Sequence, residues 1–186
     1  MSTKVAIFGG SFNPPHVAHV LAVAYVLSTA DVDRLMLVPT FKHPFGKPLA
    51  PFDDRVRMCE LAMTPLPSVE VSRIEERVDG ASLTLHTLEA IKEEHPDWDL
   101  RLVMGADLLL EADKWFRFEE VRKLAPPIVL GRAGFEQAGA PPPILPAISS
   151  TRIRELIARA RWADLAALLP RHVMEHVRAR GLYAAT

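Results

Sequence analysis

The stretch from Gly9 to His19 constrains this chain more than any other, because it ends an apolar strand and begins a helix. It reads GGSFNPPHVAH and follows the run KVAIF, whose short, apolar, partly β-branched character is typical of a buried parallel strand. Glycines let main-chain N–H groups approach a ligand closely, and the start of the next helix favours an anion. We therefore predict that the turn formed by Gly10, Ser11 and Phe12, with Gly9 before them, binds phosphate.

Two histidines accompany this turn. His16 and His19 are three residues apart and therefore share one face of the first helical turn, beside the predicted anion site. An imidazole can donate a hydrogen bond, or add positive charge where a phosphate gains negative charge in a transition state. The alternative is a plain strand-to-helix turn whose histidines cap the helix. Pro14 and Pro15 stiffen the helix entry and favour the phosphate interpretation.

Apolar strands alternate with helices along the chain. This pattern predicts an α/β fold, a Rossmann-like, doubly wound, mostly parallel sheet with helices on both faces. Ligands are expected beyond the carboxyl ends of the strands, where the phosphate turn and residues 105–107 fall. The predicted strands are 4–8, 34–38, 69–71, 100–104 and 128–130, and the predicted helices are 16–30, 53–63, 82–94, 149–160, 162–169 and 171–180, with a surface loop at 133–146 and a helix-stopping glycine at Gly181.

Composition restricts the class of protein. The 186 residues are 49% hydrophobic, which predicts a single domain over 1–186 with a helical portion at about 149–181 packed on it. The net charge of −1 excludes general attraction to nucleic acid, so an anionic substrate needs local basic residues. Cys59, the single cysteine, is expected to be a buried thiol in a reducing compartment. The early first strand and the absence of a long apolar run predict a cytoplasmic protein without a membrane partner, and a homo-oligomer stays open.

A second group of anion-binding residues lies near the carboxyl end. Ser149, Ser150 and Thr151 immediately precede an amphipathic helix, where their oxygens can cap the helix or contact an anion. Spacing alone slightly favours the cap. An arginine in the first turn, Arg152, opposes the helix dipole unless an anion is present and so favours the anion.

A third group lies between these two motifs. Asp107 lies just past the predicted strand 100–104, two residues after Gly105. An aspartate at this position can accept hydrogen bonds from ribose hydroxyls. Trp115, between Lys114 and Phe116, offers a flat face on which a heteroaromatic ring can stack. The alternatives are a helix cap for the aspartate and a core aromatic for the tryptophan.

The first two motifs resemble those of the nucleotidyltransferase superfamily. Its members carry G-x-F-[DN]-P-x-[HT]-x-G-H after the first strand, and this chain differs in having Ala18 where glycine is usual. They also carry I-S-S-T-x-[IL]-R near the carboxyl end, which corresponds here to Ser149, Ser150, Thr151 and Arg154. The resemblance implies that both motifs contact a nucleoside triphosphate.

The chain also resembles bacterial nicotinate-nucleotide adenylyltransferases over nearly its whole length. The resemblance rests on the G-A-D and K-W-F stretches and on the run DGASLT at residues 79–84. It implies adenylyl transfer from ATP to nicotinate mononucleotide, giving deamido-NAD and pyrophosphate. It also implies that Trp115 stacks on the nicotinate ring while main-chain N–H groups near Thr84 and Phe116 hold the carboxylate. The implied ATP contacts include Gly105 and Asp107, and the implied mononucleotide contacts are Ser82, Thr84, Lys114, Trp115 and Phe116.

The resemblance also suggests roles in the reaction. We expect His19 to contact the α-phosphate, and His16, Lys47 and Arg154 to hold the β- and γ-phosphates. A solvated loop lysine is an equal alternative for Lys47. Mg²⁺ is expected to be bound mainly through phosphates and water, because no carboxylate cluster suggests a protein cage. His172 and His176, at i,i+4 spacing, could form half a metal site, but arginines flank them and disfavour it.

Three other functions are consistent with parts of the sequence. A phosphopantetheine adenylyltransferase would share the first motif but is not expected to have the Lys114-Trp115-Phe116 stretch. A nucleotide-binding sensor without turnover is suggested by Ala18. An RNA-binding module is suggested by the arginines of the last helices, but interrupting acidic residues favour a solvated face there.

Overall fold

A parallel sheet forms the centre of the computed structural model, which describes residues 2–78, 80, 83–109, 115–133 and 141–185, without the side chains of 107, 109 and 132. Over these residues the sheet has six strands in the order β3-β2-β1-β4-β5-β6, and each neighbouring pair is parallel. This order is that of a doubly wound fold, with its topological switch point between β1 and β4. The strands are β1 Lys4–Gly10, β2 Arg34–Pro39, β3 Val69–Val71, β4 Asp99–Gly105, β5 Pro127–Arg132 and β6 Pro143–Leu145.

Helices cover both faces of the sheet. In β2, Leu35 and Leu37 belong to one buried apolar cluster, whereas Met36 and Val38 belong to another. Because successive strand residues point to opposite faces, both faces must be covered. The fold class predicted from the sequence is confirmed. The helices are α1 Val17–Thr29, α2 Phe52–Met63, α3 Thr84–Glu94, α4 Ala106–Leu109, α5 Phe118–Leu124, α6 Ser150–Ala158, α7 Trp162–Leu165 and α8 Arg171–Arg180, with a 3₁₀ turn at Ile74–Glu76.

The carboxyl-terminal helices pack on the same face as α1 and α2. Ile153 of α6 and Val173 and Val177 of α8 are fully buried in one cluster with Val23 and Leu37. Gly181 ends α8 with φ +60°, the left-handed conformation that glycine adopts without strain. The helix stop predicted at this glycine is confirmed.

The predicted loop at 133–146 is wrong in part. Residues 134–140 lie outside the described ranges, but Pro143–Leu145 pairs with β5 as an edge strand. Proline is tolerated at the first residue of such a strand, because that position needs no ladder N–H. Sequence reasoning also missed α4, α5 and the 3₁₀ turn, all too short for a helical period to be visible.

Cys59 is fully buried in α2, as predicted, and burial raises the pKa of its thiol well above the usual range. The thiol is therefore protonated at neutral pH and a poor nucleophile. Over the described ranges, no helix combines the length and the apolar character that crossing a bilayer requires.

Candidate active site

A cavity of about 430 Å³ opens beside the carboxyl ends of β1 and β2. Its lining includes Gly9, Gly10 and Ser11 on one side and Lys47 on another. Thr84, Trp115 and Phe116 also line it. The structure therefore brings part of the phosphate turn, the basic loop and part of the predicted mononucleotide pocket to one place.

The two glycines of the turn have different surroundings. A Cβ built on Gly9 would meet nothing within 4 Å, so the bare main chain faces open space. A Cβ on Gly10 would approach the ring of Phe12 to 3.2 Å. Phe12 is buried in a left-handed conformation with φ +43°, and its ring packs edge-on against His19. Its main chain, rather than its ring, is the part that can meet a ligand.

The two motif histidines begin α1. His16 is its N-cap residue, and the two rings stack with centroids 3.7 Å apart. The main-chain N–H of His16 donates to Nδ1 of His19 at 3.0 Å. A neutral His19 ring therefore carries its proton on Nε2, which suits donation to a phosphate oxygen. His16 is only 5% exposed, whereas His19 is half-buried and the more accessible of the pair.

The two predicted phosphate motifs meet through side-chain contacts. The hydroxyl of Ser150 donates to the carbonyl of Pro14 at 2.9 Å. The Nη1 group of Arg154 donates to the carbonyl of Asn13 at 2.8 Å, and its Nη2 group donates to Thr151 Oγ1 at 3.3 Å. The contacts with Pro14 and Asn13 join residues more than a hundred positions apart and hold α6 against the turn that precedes α1.

Ser149 caps α6, as the spacing alone favoured. Its hydroxyl accepts the main-chain N–H of Arg152 at 3.3 Å. Neither Ser149 nor Arg154, nor the two motif histidines, is among the residues that line the cavity. The predicted ATP contacts therefore divide into a part within the cavity and a part beside it.

The predicted mononucleotide pocket is only partly described. Trp115 is half-buried with its ring edge-on to Phe118, at a centroid distance of 5.6 Å, and Phe116 is 47% exposed. Thr84 is the first residue of α3. Ser82 and Lys114 lie outside the described residues.

The predicted ribose contact follows β4, and the unusual alanine lies in α1. Gly105 ends β4, and the main chain of Asp107 follows it within α4. Ala18 is buried in α1 and does not line the cavity. The extra methyl group therefore packs inside the molecule.

Lys47 belongs to an exposed loop that borders the cavity. His43 of the same loop is half-buried, and burial, followed by the charge of Lys47, holds its pKa below the usual value. The neutral form of His43 is therefore favoured near neutral pH. Lys47 is exposed and lines the cavity. Its ammonium group can therefore act as a positive point charge toward a polyphosphate bound there.

Several buried polar residues around the site escaped sequence reasoning. The Oδ1 atom of Asn13 accepts the N–H of Ala50 at 3.1 Å and the hydroxyl of Tyr183 at 2.8 Å. Arg55, only 1% exposed, donates to the carbonyls of Ser11 and Ala50, each at 3.0 Å. Burial lowers the pKa of Arg55 and raises that of Tyr183. Asn13 lies within the first motif, but nothing in the sequence around Arg55 marks it as buried.

Glu75 is a buried carboxylate in the cavity lining. Its two oxygens accept the main-chain N–H of Phe41 at 2.8 Å and the hydroxyl of Thr87 at 3.1 Å. These contacts connect α3 to the start of the loop formed by residues 41–50, called the Lys47 loop below. In the sequence, Glu75 belongs to a short acidic stretch between β3 and α3. A solvated loop has the same pattern, so the sequence does not indicate that Glu75 is buried.

The histidines of α8 have carboxylate partners. His176 Nε2 lies 2.9 Å from Asp54 Oδ1, and His172 Nδ1 lies 3.0 Å from Glu175. Asp54 also accepts Nε of Arg180 at 3.0 Å. Within the described part of the chain, no group of three or more His, Cys, Asp or Glu side chains is arranged to hold a metal ion.

Comparison with known proteins agrees with this geometry. The cytidylyltransferase-like family matches residues 7–156. A relative from Anaeromyxobacter sp. (strain K), named "probable nicotinate-nucleotide adenylyltransferase", is 47% identical over 97% of this chain and 96% of its own length. A relative of the same name from Myxococcus xanthus is 38% identical over 98% and 95%.

The fold is shared with a solved structure at lower identity. The Plasmodium falciparum nicotinic acid mononucleotide adenylyltransferase complexed with NaAD has a TM-score of 0.84 and 18% identity, over 97% of each chain. The strand order, the two motifs that meet beside the cavity and the full-length relatives lead to one conclusion. This chain is a nucleotidyltransferase and belongs to the nicotinate-nucleotide adenylyltransferase family.

Proposed function

We propose that the protein transfers the adenylyl group of ATP to nicotinate mononucleotide, forming deamido-NAD and releasing pyrophosphate. The observation that carries this proposal is the shared cavity, in which Gly9 and Lys47 line the same space as Trp115. Nucleotide substrates are supported by the Plasmodium falciparum enzyme, solved as complexes with NaAD and with APC, the latter at a TM-score of 0.81.

The reaction requires no protein nucleophile. A phosphate oxygen of the mononucleotide attacks the α-phosphorus of ATP, a new P–O bond forms, and the bond to the bridging oxygen of the β-phosphate breaks. Catalysis is then positioning and charge neutralisation. His19 donates from Nε2 to the α-phosphate, while His16, Lys47 and Arg154 stabilise the leaving phosphates. The contact of Arg154 with Asn13 supports its assignment, because it holds the guanidinium at the end of the turn.

The acceptor side uses aromatic and main-chain groups. Trp115 stacks on the pyridine ring, and main-chain N–H groups near Thr84 and Phe116 bind the carboxylate. The position of Thr84 at the start of α3, an 11-residue helix, supports this assignment because a helix N-terminus favours a negative group.

Enzymes of this family generally use a divalent metal, and we propose that the ion is Mg²⁺. Mg²⁺ prefers oxygen ligands and retains water, so ATP phosphates can supply its ligands where the described side chains offer no cluster. Bound there, the ion would neutralise charge on the phosphates. The chain's own part is to orient those phosphates through the residues around 9–11 and Lys47.

The direct test supplies purified protein with ATP and Mg²⁺ and one acceptor at a time. The acceptors are nicotinate mononucleotide, nicotinamide mononucleotide and phosphopantetheine, and both pyrophosphate and the adenylylated product are measured. We expect the highest kcat/KM with nicotinate mononucleotide, and loss of turnover on chelation that Mg²⁺ restores. Dephospho-coenzyme A as the sole product, or ATP binding without pyrophosphate release, would contradict the proposal.

A further inference from the structure

Arg55 is a buried cation whose hydrogen bonds all go to main-chain carbonyls in the described structure. Its Nε group donates to Ala50 and its Nη1 group to Ser11, each at 3.0 Å. Arg55 forms no ion pair with a described carboxylate, and its guanidinium lies 5.3 Å from the ring centroid of Phe52. Removing a guanidinium from water without a carboxylate partner is costly, so stability alone would favour an apolar side chain at this position.

The two carbonyls belong to different segments beside the cavity. Ser11 belongs to the turn and lines the cavity, and Ala50 ends the Lys47 loop, whose His43 and Lys47 also line it. The rigid, planar fork of an arginine suits two acceptors at fixed positions better than a lysine does. Arg55 therefore bridges the turn and the end of the loop.

A second contact joins the same two segments. The side chain of Asn13 accepts the N–H of Ala50 at 3.1 Å and donates to the carbonyl of Pro48 at 3.4 Å. Arg55 and Asn13 thus hold residues 48–50 from two directions. Lys47 is the adjacent residue and is itself exposed, so its location over the cavity depends on how residues 48–50 are held.

We propose that Arg55 is a positioning residue, which holds the Lys47 loop and the phosphate turn at the separation that a triphosphate requires. The inference rests on the proposed contact of Lys47 with ATP. It assigns Arg55 no contact with substrate. Its effect on turnover passes through the loop.

The test is a double-mutant cycle on Arg55 and Lys47, with kcat and KM for ATP measured separately. Arg55→Lys keeps the charge and loses the fork, and Arg57→Lys is the matched control, since Arg57 lies on the same helix and is exposed beside Glu60. We expect Lys47→Ala to lower kcat/KM by about tenfold in the native protein and by less than about threefold in Arg55→Lys. Effects that simply multiply would overturn the proposal.

Hydrogen exchange of peptides that cover residues 42–50 provides a readout independent of turnover. Arg55→Lys should accelerate exchange there by about tenfold or more, whereas Arg57→Lys should leave it unchanged. If Lys47→Ala alone has no effect on turnover, the contact proposed for Lys47 fails, and the exchange measurement still decides the role of Arg55. Unchanged exchange in Arg55→Lys would refute the positioning role.

Arg55→Met serves as the second variant where Arg55→Lys does not fold, because methionine fills much of the same volume without a buried charge. Its exchange and ATP kinetics are judged by the same criteria. If neither variant folds, Arg55 is a residue of general stability and the positioning role is wrong.

Discussion

The two sides of the cavity differ in how they are held. The turn wall comprises residues 9–19, of which Gly9, Gly10 and Ser11 line the cavity. Its carbonyls at Asn13 and Pro14 accept hydrogen bonds from Arg154 and Ser150, and the main-chain N–H of Val17 donates to the carbonyl of Leu168 at 2.9 Å. The loop wall comprises residues 43–47 with Trp115 and Phe116. Phe45 is 77% exposed and Phe116 47% exposed, whereas Trp115 is half-buried. The turn wall is held by part-buried hydrogen bonds from distant segments, and the loop wall presents mainly exposed side chains.

This difference matches the two tasks of the proposed reaction. A phosphate in a transition state needs donors held in advance, because each small displacement weakens charge stabilisation. An acceptor nucleotide must enter and leave, and exposed loop residues allow that. We therefore expect substitution of His19 in the turn wall to lower kcat, and substitution of Trp115 in the loop wall to raise KM for nicotinate mononucleotide.

The largest expected effect comes from His19→Ala. Loss of the Nε2–H donor should lower kcat by about 100-fold or more, which corresponds to at least about 2.7 kcal/mol of transition-state stabilisation. Steady-state kinetics at saturating ATP and mononucleotide measure this effect. Because α1 is otherwise unchanged, the circular dichroism spectrum should match that of the native protein.

His172→Ala is the control for this substitution, because His172 is a half-exposed histidine on α8 paired with Glu175. Its kcat should equal the native value. A near-native kcat for His19→Ala would remove the assignment of chemistry to the turn wall.

The next largest effect concerns the attachment of α8 to α2 through Asp54. The hydrogen bond from Arg180 chiefly, with His176 adding to it, holds the pKa of buried Asp54 below its usual value. Asp54→Asn should reduce the free energy of unfolding at pH 7 by about 2 kcal/mol. Because the folded pKa is the lower one, this contribution is present above about pH 4 and decreases as the pH falls through the folded pKa.

Denaturant unfolding of the native protein and of Asp54→Asn between pH 7 and pH 3 measures this dependence. The difference between the two proteins should narrow toward acid pH. Asp53→Asn is the matched control, because its carboxylate is exposed beside Arg73 and contributes about 0.5 kcal/mol or less. A difference that stays constant with pH would show that the ionised Asp54 carboxylate is not what stabilises α8.

Trp115→Ala tests the loop wall. Loss of the flat indole face should raise KM for nicotinate mononucleotide by about tenfold and change KM for ATP by less than about twofold. Trp115→Phe retains a stacking ring and should recover most of the loss. Trp162→Ala is the control for general destabilisation. In the native protein the Cζ atom of Arg178 lies 4.5 Å from the ring centroid of Trp162. If KM for ATP rises instead, the tryptophan belongs to the nucleotide side.

Sequence reasoning succeeded where the pattern is local and failed where burial depends on tertiary packing. The end of β1, the start of α1 and the Ser149 cap follow from residue order within one turn. Arg55 follows two aspartates in an amphipathic helix and therefore resembles a solvated charge, yet it is buried, and one of its two carbonyl partners, Ser11, lies 44 residues away in the sequence. Pro143–Leu145 lacks the length of an ordinary strand, and only its pairing with β5 makes it one.

The smallest expected effect concerns the hydrogen bond between α6 and the turn wall, which Ser150 donates to Pro14. Ser150→Ala removes the donor to Pro14 and should lower the free energy of unfolding by about 1 kcal/mol, with a rise of about threefold in KM for ATP. Ser28→Ala is the control, because the hydroxyl of Ser28 donates at 2.7 Å to the carbonyl of Ala24 within α1, at an exposed position. Thermal unfolding and ATP kinetics should separate the two variants. If both leave KM unchanged, the contact of α6 with the turn wall stabilises the fold without positioning the phosphate donors.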